Sequence, residues 1–338
     1  MSNKPPIEVP QGAIRLNTDS QKLEFFAQDR WYEFATNTPN LDGGTRGLFI
    51  GGRTPSNSDV IDYITIPTQG NAIDFGNRLE AGRQGGATGS RVRGVICGRP
   101  VPLHSDTIEF LTFASTGNTQ DFGNSTNTRA GAPMSVSNGT RGIFAGGTID
   151  ASDNLGNIID YVTIAQTGNA VDFGDLTLPQ SDGGRAQSPT RGLIGGGRGP
   201  NASTKTNVIS FITMSTLGNA FDFGDLTVAR NEIAADSNAV RGIFAGGNSS
   251  PATVNTIESI TIATLGNAID FGDIATASTE SRGSASPTRF AFSHGNEGSV
   301  VDNISYVAIA TQGDAVDFGD LSVGRSQAAG VSNGHGGL

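Results

Sequence analysis

Several things are scarce in this chain. One cysteine, Cys97, stands among 338 residues, which excludes an intrachain disulfide framework and any cysteine-built zinc cluster. Charged residues make up only 16%, and the formal net charge is −10. That balance argues against a general nucleic-acid binder, which needs a basic footprint to displace counterions, and against docking on anionic lipid. An acidic surface of this kind keeps a Gly-rich β protein soluble. No apolar run approaches the roughly 20 residues that span a bilayer, and no long window carries apolar residues at helical spacing. Met1-Ser2-Asn3-Lys4-Pro5-Pro6 has no apolar core behind its charge, so no secretory signal is expected and the chain is expected to be made in a cytoplasm.

What is abundant is glycine, 48 residues, together with Ser, Thr and Asn, a composition for short strands joined by many turns. A phrase recurs six times. Asn71-Ala72-Ile73-Asp74-Phe75-Gly76-Asn77 has its Asp-Phe-Gly core repeated from Asp121, Asp172, Asp222, Asp270 and Asp317, at steps of 47, 51, 50, 48 and 47 residues. A second phrase, Thr45-Arg46-Gly47-Leu48-Phe49-Ile50-Gly51-Gly52, returns from Arg93, Arg141, Arg191, Arg241 and Arg289. A period near fifty marks one supersecondary unit used repeatedly. Cys97 falls where other units carry Ala or Gly, so a small buried residue is expected there.

The third unit shows the pattern. Ala132 to Ser137 is a small-residue strand, and Asn138-Gly139 is a two-residue hairpin signal. Arg141 to Ala145 is an apolar strand ending in Gly146-Gly147, Ile158 to Ile164 alternates at period two, and Ala170 to Leu176 closes the unit. Four antiparallel strands repeated six times predict an all-β, six-bladed β-propeller. This order resembles the kelch repeat over residues 45–334. The last-strand aromatic is Phe where kelch has Trp, and the mid-unit Tyr stands at Tyr63, Tyr161 and Tyr306 but is Phe110, Phe211 and Ser259 elsewhere. The first unit lacks a first strand before Thr45, while Arg325 to Gly334 matches that strand and has no unit after it. The expectation is that the C-terminal strand completes the first blade and removes an open edge.

Ahead of the repeats, residues 1–8 read as a flexible lead, 9–36 as a small β anchor and 37–44 as a linker, leaving 45–338 for the propeller. Ile14 and Leu16 alternate with polar residues, Leu23 and Phe25 alternate again, and a third short strand holds Trp31, the only Trp. Three such strands bury too little to stand alone, which makes Ile14, Leu16, Leu23, Phe25 and Trp31 candidates for anchoring to other proteins or to copies of this chain. The pattern Gly-x-Ile-Arg-x-Asn-Thr-Asp-x-x-x-Leu-Glu-x-Phe with the following Trp resembles short β segments of tailed-bacteriophage tail and fibre-associated proteins, over about 25 residues. That resemblance implies residence in a virion and contact with other virion proteins.

Little in the repeats points to catalysis. The six Arg (Arg46, Arg93, Arg141, Arg191, Arg241, Arg289) and six Asp (Asp74, Asp121, Asp172, Asp222, Asp270, Asp317) suggest either charged rings that bind ions or, because every unit keeps them, joints between units made with Asp or with backbone carbonyls. Asp-Phe-Gly is also a kinase metal motif, but there is no His-Arg-Asp loop. Acid pairs such as Asp172 with Asp175 and Asp222 with Asp225 leave Ca²⁺ open as a ligand without EF-hand spacing; otherwise no cofactor is expected. The glycine runs lack a phosphate-binding pattern. His104, His294 and His335 share no metal-ligand spacing.

Variation concentrates after each Gly-Gly: Arg53 to Asp59, Arg99 to Asp106, Thr148 to Asn157, Arg198 to Asn207, Asn248 to Asn255 and Asn296 to Val301. Loops on one face of a repeat scaffold commonly carry recognition, and Asn, Ser, Thr and Asp suit hydrogen bonding to a glycan. The expected function is that of a non-enzymatic, tail- or fibre-associated phage protein whose propeller meets a host-surface glycan or protein. The alternatives are a virion decoration or assembly hub without a receptor, and a propeller enzyme acting on polysaccharide. A symmetric homo-oligomer is the expected assembly.

Overall fold

The structure, a computed structural model, describes residues 9–17, 22–33, 45–98, 105–129, 131–150, 154–200 and 203–338. The expected lead 1–8, the linker 37–44 and His104 lie outside these residues. The chain divides into two compact units, Met1–Gly43 and Gly44–Leu338.

The first unit is a three-stranded antiparallel sheet of β1 (Ile14–Asn17), β2 (Lys22–Ala27) and β3 (Arg30–Glu33). Ile14 sits opposite Phe25 and Leu16 opposite Leu23, and Phe25 stacks on Tyr32 at 5.5 Å. This apolar face is open within the unit: Ile14 and Leu16 are 63% and 62% exposed. Trp31 belongs to the other face, opposite Phe26, with the Arg15 guanidinium 4.1 Å from its ring. Arg15 also bonds Glu24 at 2.8 Å. The five anchoring candidates therefore fall on two faces, because Trp31 is out of phase with the other four.

The second unit is all β, with six four-stranded antiparallel sheets in a propeller-like arrangement. The third sheet runs Met134–Ser137, Arg141–Ala145, Ile158–Thr163 and Val171–Asp175 in spatial order. The second, fourth, fifth and sixth repeat this order over residues 86–129, 184–225, 234–273 and 282–320. The first combines Ala329–Ser332 with Arg46–Thr54, Ser56–Thr65 and Ile73–Asn77. Each first strand packs against the first strands of the neighbouring sheets, and Ala329–Ser332 touches both Arg282–Ala285 and Gly86–Gly89.

The apolar cores lie between sheets. Ile143, Ile159 and Phe173 of the third sheet pack with Ile194 and Ile212 of the fourth, and Phe318 and Ile304 of the sixth pack with Phe49 and Ile64 of the first. A buried side chain of this size contributes about 1.5–3 kcal/mol, so each sheet is stabilised through its neighbours. In two sheets the segment after Gly-Gly is strand rather than loop: Arg46–Thr54 continues through a tight turn into Ser56–Thr65, and Arg191–Arg198 pairs as far as Lys205. In the first sheet the expected loop is a hairpin with Thr54 paired to Ser56, and in the fourth its ends are paired as Arg198 with Lys205.

Candidate functional site

The Asp-Phe-Gly phrase is a joint. In every sheet its Phe is the extra residue of a β-bulge, as where Ile61 pairs with Gly76 and Asp62 with Asp74, skipping Phe75. The bulge turns the ring inward, and all six Phe are 2% exposed. The following Gly brings its backbone against the next sheet. A Cβ on Gly76 (φ 146°) would lie 2.4 Å from the Gly117 carbonyl oxygen, and one on Gly319 (φ 144°) 2.6 Å from that of Gly70. Only glycine tolerates both the dihedral and the approach. Phe75 O accepts from Gly117 N at 2.7 Å, and the equivalent bonds run through Phe122 to Gly168, Phe173 to Gly218, Phe223 to Gly266, Phe271 to Gly313 and Phe318 to Gly70. The Asp side chains Asp74, Asp121, Asp172, Asp222, Asp270 and Asp317 point to solvent.

The six arginines take part in the same joints. Arg46 donates to Phe113 O, Arg93 to Ile164 O, Arg141 to Met214 O, Arg191 to Ile262 O, Arg241 to Ile309 O and Arg289 to Ile66 O, each on the following sheet. Five of them also lie 4.7–5.0 Å over their own sheet's mid-unit aromatic. Where Ser259 replaces that aromatic, Arg241 stands 5.8 Å from Phe271 instead. These arginines engage carbonyls and rings, not the repeated Asp.

A second set of charges went unnoticed in the sequence. Arg78 meets Glu109 at 2.7 Å, Arg129 meets Asp160 at 2.7 Å, Arg230 meets Glu258 at 3.4 Å and Arg325 meets Asp62 at 2.9 Å, all with side chains 0–1% exposed. Each pair links the end of one sheet to the third strand of the next. The carboxylates are further satisfied locally: Ser322 N and Oγ donate to Asp62, and Thr126 N and Oγ1 to Asp160. At the remaining two junctions the third-strand position is serine: Ser210 is bonded to Thr177 and Ser305 to His294, while Gln180 Nε2 donates to Gly196 O and Ser278 Oγ accepts from Ser281 Oγ. The sequence signal is that Arg and carboxylate occur together or not at all.

At the end of the sheets that carries the post-Gly-Gly segments, six non-glycine residues share one backbone conformation: Gln84, Ala132, Asp182, Glu232, Glu280 and Gln327, with φ between 35° and 58°. They bond in sequence around the centre, Gln84 N to Gln327 O, Ala132 N to Gln84 O, Asp182 N to Ala132 O, Glu232 N to Asp182 O and Gln327 N to Glu280 O. Around this rim the first residues after Gly-Gly pair with the backbone just before it, Arg53 with Ser326, Thr148 with Gly131, Arg198 with Ser181, Asn248 with Asn231 and Asn296 with Thr279. Burial, and then the nearby Asp182 and Glu280, push the Glu232 carboxyl up, although a bond from Thr279 opposes them. Burial pushes the Lys205 ammonium down, and that group donates to Asn248 Oδ1.

Inside the rim lies a cavity of about 30 Å³ lined by residues of all six sheets, among them Arg185 and Arg282. Arg185 crosses the centre, donating to Ala87 O at 2.9 Å and Gly330 O at 2.5 Å. Asp236, fully buried, accepts from Gln187 Nε2, Ser237 N and Ala285 N. Toward the opposite end, residues 333–338 fold across the first strands. His335 Nε2 meets Gly89 O at 3.0 Å and Ser137 Oγ at 3.1 Å, its Nδ1 accepts from Gly337 N, and Gly336 N donates to Ser237 O.

Among the described residues no three or more His, Cys, Asp or Glu side chains are grouped to hold a metal. His294 bonds Glu297 at 2.5 Å and Ser305 at 2.7 Å, well apart in sequence from His335. The Cys97 thiol is buried, and burial pushes its pKa up to about 12. What the rim offers is hydrogen bonding: Asp182 is paired with Arg198, while Glu232 accepts from Thr279 and Glu280 from Gln327. Comparison with protein-family models and with curated proteins gives no match.

Proposed function

We propose that residues 45–338 form a single six-bladed kelch-like propeller and that the chain is a non-enzymatic structural protein of a tailed-phage virion, tail- or fibre-associated. In this reading its rim and post-Gly-Gly segments recognise a host-surface glycan or protein. The observation that carries the reading is a division of labour. The six-fold repeated Arg, Phe and Gly are engaged in sheet-to-sheet joints, while the residues around the rim differ from sheet to sheet. The post-Gly-Gly segments add Asn, Thr and Ser, as in residues 53–59 and 248–255, which suits hydrogen bonding to hydroxyl groups.

The N-terminal sheet supplies attachment to other virion proteins, supported by the exposed Ile14, Leu16 and Leu23 on one face. Gold-labelled antibody on purified particles and adhesion of the purified protein to host cells test the reading together. The expected outcome is label on the tail, adhesion by the isolated protein, and loss of adhesion when residues 248–255 are exchanged for those of another sheet. Label on the particle without adhesion would favour a decoration. Turnover of an envelope glycan by the protein would overturn the non-enzymatic reading.

A further inference from the structure

The central cavity has a one-sided lining. Its charged walls are Arg185 and Arg282, and the rest is backbone with small or apolar side chains, including Gly86, Gly184 and Gly330. The carboxylates nearby are already engaged. Asp236 lies 3.9 Å from Arg185 and accepts three other hydrogen bonds. Asp182 lies 3.0 Å from Arg198 and only 3.8 Å from Arg282. Glu232 and Glu280 belong to the rim and do not line the space. Arg185 Nε is buried with no acceptor, a costly state for a charged donor. Burial lowers the Arg185 pKa, and the neighbouring Arg282 lowers it further against the pull of Asp236.

Size decides the class of ligand. A cavity needs about 10–15 Å³ to hold one water, and this one is about 30 Å³. A single halide, little larger than a water, fits such a space. The geometry points to a single chloride-sized monovalent anion held between the guanidiniums of Arg185 and Arg282. Arg185 reaches from the fourth sheet to the first and second, and Arg282 belongs to the sixth. The anion therefore ties the first strands of opposite sheets through one centre, and it acts as a structural ligand independent of what the rim recognises.

Thermal unfolding of the full chain in chloride or bromide, against gluconate at equal ionic strength, tests this. The expected result is a Tm that rises with halide concentration. Above half-saturation the folding equilibrium gains up to tenfold for each tenfold more halide. Arg282→Gln is expected to abolish the dependence. Bromide-soaked crystals are expected to give an anomalous peak in contact with both guanidiniums, a readout that stands even where the variant fails to fold. Equal Tm in halide and gluconate, or bromide peaks that all lie outside the cavity, would overturn the proposal.

Discussion

Four junctions between neighbouring sheets hold a buried arginine–carboxylate pair, and two carry serine at the third-strand position and no arginine beside it. The charged junctions are Arg78–Glu109, Arg129–Asp160, Arg230–Glu258 and Arg325–Asp62; the neutral ones have Ser210 bonded to Thr177 and Ser305 bonded to His294. No junction keeps one charge without the other. Removing one partner of a buried pair strands a charge, whereas removing both can be nearly neutral. The pair is thus a unit of specification, and the parts found at all six junctions are the bulged Phe, the close-approach Gly and the arginine on the next sheet's carbonyl.

The largest effect follows directly. Arg230→Gln leaves Glu258 buried beside Thr227 with no cation, and we expect a loss of about 3–5 kcal/mol in urea unfolding. Arg230→Gln combined with Glu258→Ser converts this junction to the neutral kind and should recover most of that loss. A double variant as unstable as the single one would break the comparison, because the charge would then matter for some reason other than compensation.

A neutral contact can also be charged without mutation. His335 is buried, and burial holds its pKa below the ordinary 6.5, outweighing the attraction of Asp236 and the Gly89 carbonyl, while Arg185 and Arg91 push the same way as burial. The unfolded chain takes up the proton first as pH falls. The contribution is therefore fully present above pH 6.5 and is lost below it, by up to about 1.4 kcal/mol per pH unit until the folded ring titrates. Thermal unfolding between pH 7.5 and 5 should show this slope, and His335→Gln should flatten it.

How much of this was legible in the sequence depends on what carried each feature. The strands and the joint phrases could be read because residue identity repeats: Asp-Phe-Gly and Arg-Gly mark every unit. Even so, the reason for Gly76 is the approach of a neighbouring carbonyl, which no single unit reveals. The buried pairs leave a broken signal: Arg129, Arg230 and Arg325 share one repeat position, Gln180 and Ser278 hold it in two other units, and Arg78 reaches Glu109 from the earlier place that Leu176, Leu226 and Leu321 occupy. The rim was illegible because Gln84, Ala132, Asp182, Glu232, Glu280 and Gln327 share a left-handed backbone conformation that none of them marks with Gly or Asn. Nor did the N-terminal alternation separate Trp31 from Leu23, since the turn that sets the phase of the third strand leaves no strong residue signal.

The smallest effect separates two contributions of one arginine. Arg191 donates to Ile262 O at 3.0 Å and Ala263 O at 2.9 Å and lies 5.0 Å over Phe211. Arg241 makes the equivalent bonds to Ile309 O at 2.8 Å and Ala310 O at 3.2 Å, but with Ser259 in place of the aromatic it stands 5.8 Å from Phe271. The carbonyl bonds are common to both, so the difference between Arg191→Ala and Arg241→Ala reports the closer ring contact. A cation over an aromatic face at a partly exposed site contributes about 0.5–1 kcal/mol, and Arg191→Ala should be the more destabilising by up to that amount in urea unfolding. Equal losses would place the whole effect in the carbonyl bonds and make the mid-unit aromatic a packing residue alone, which would also explain why Ser259 is tolerated in the fifth sheet.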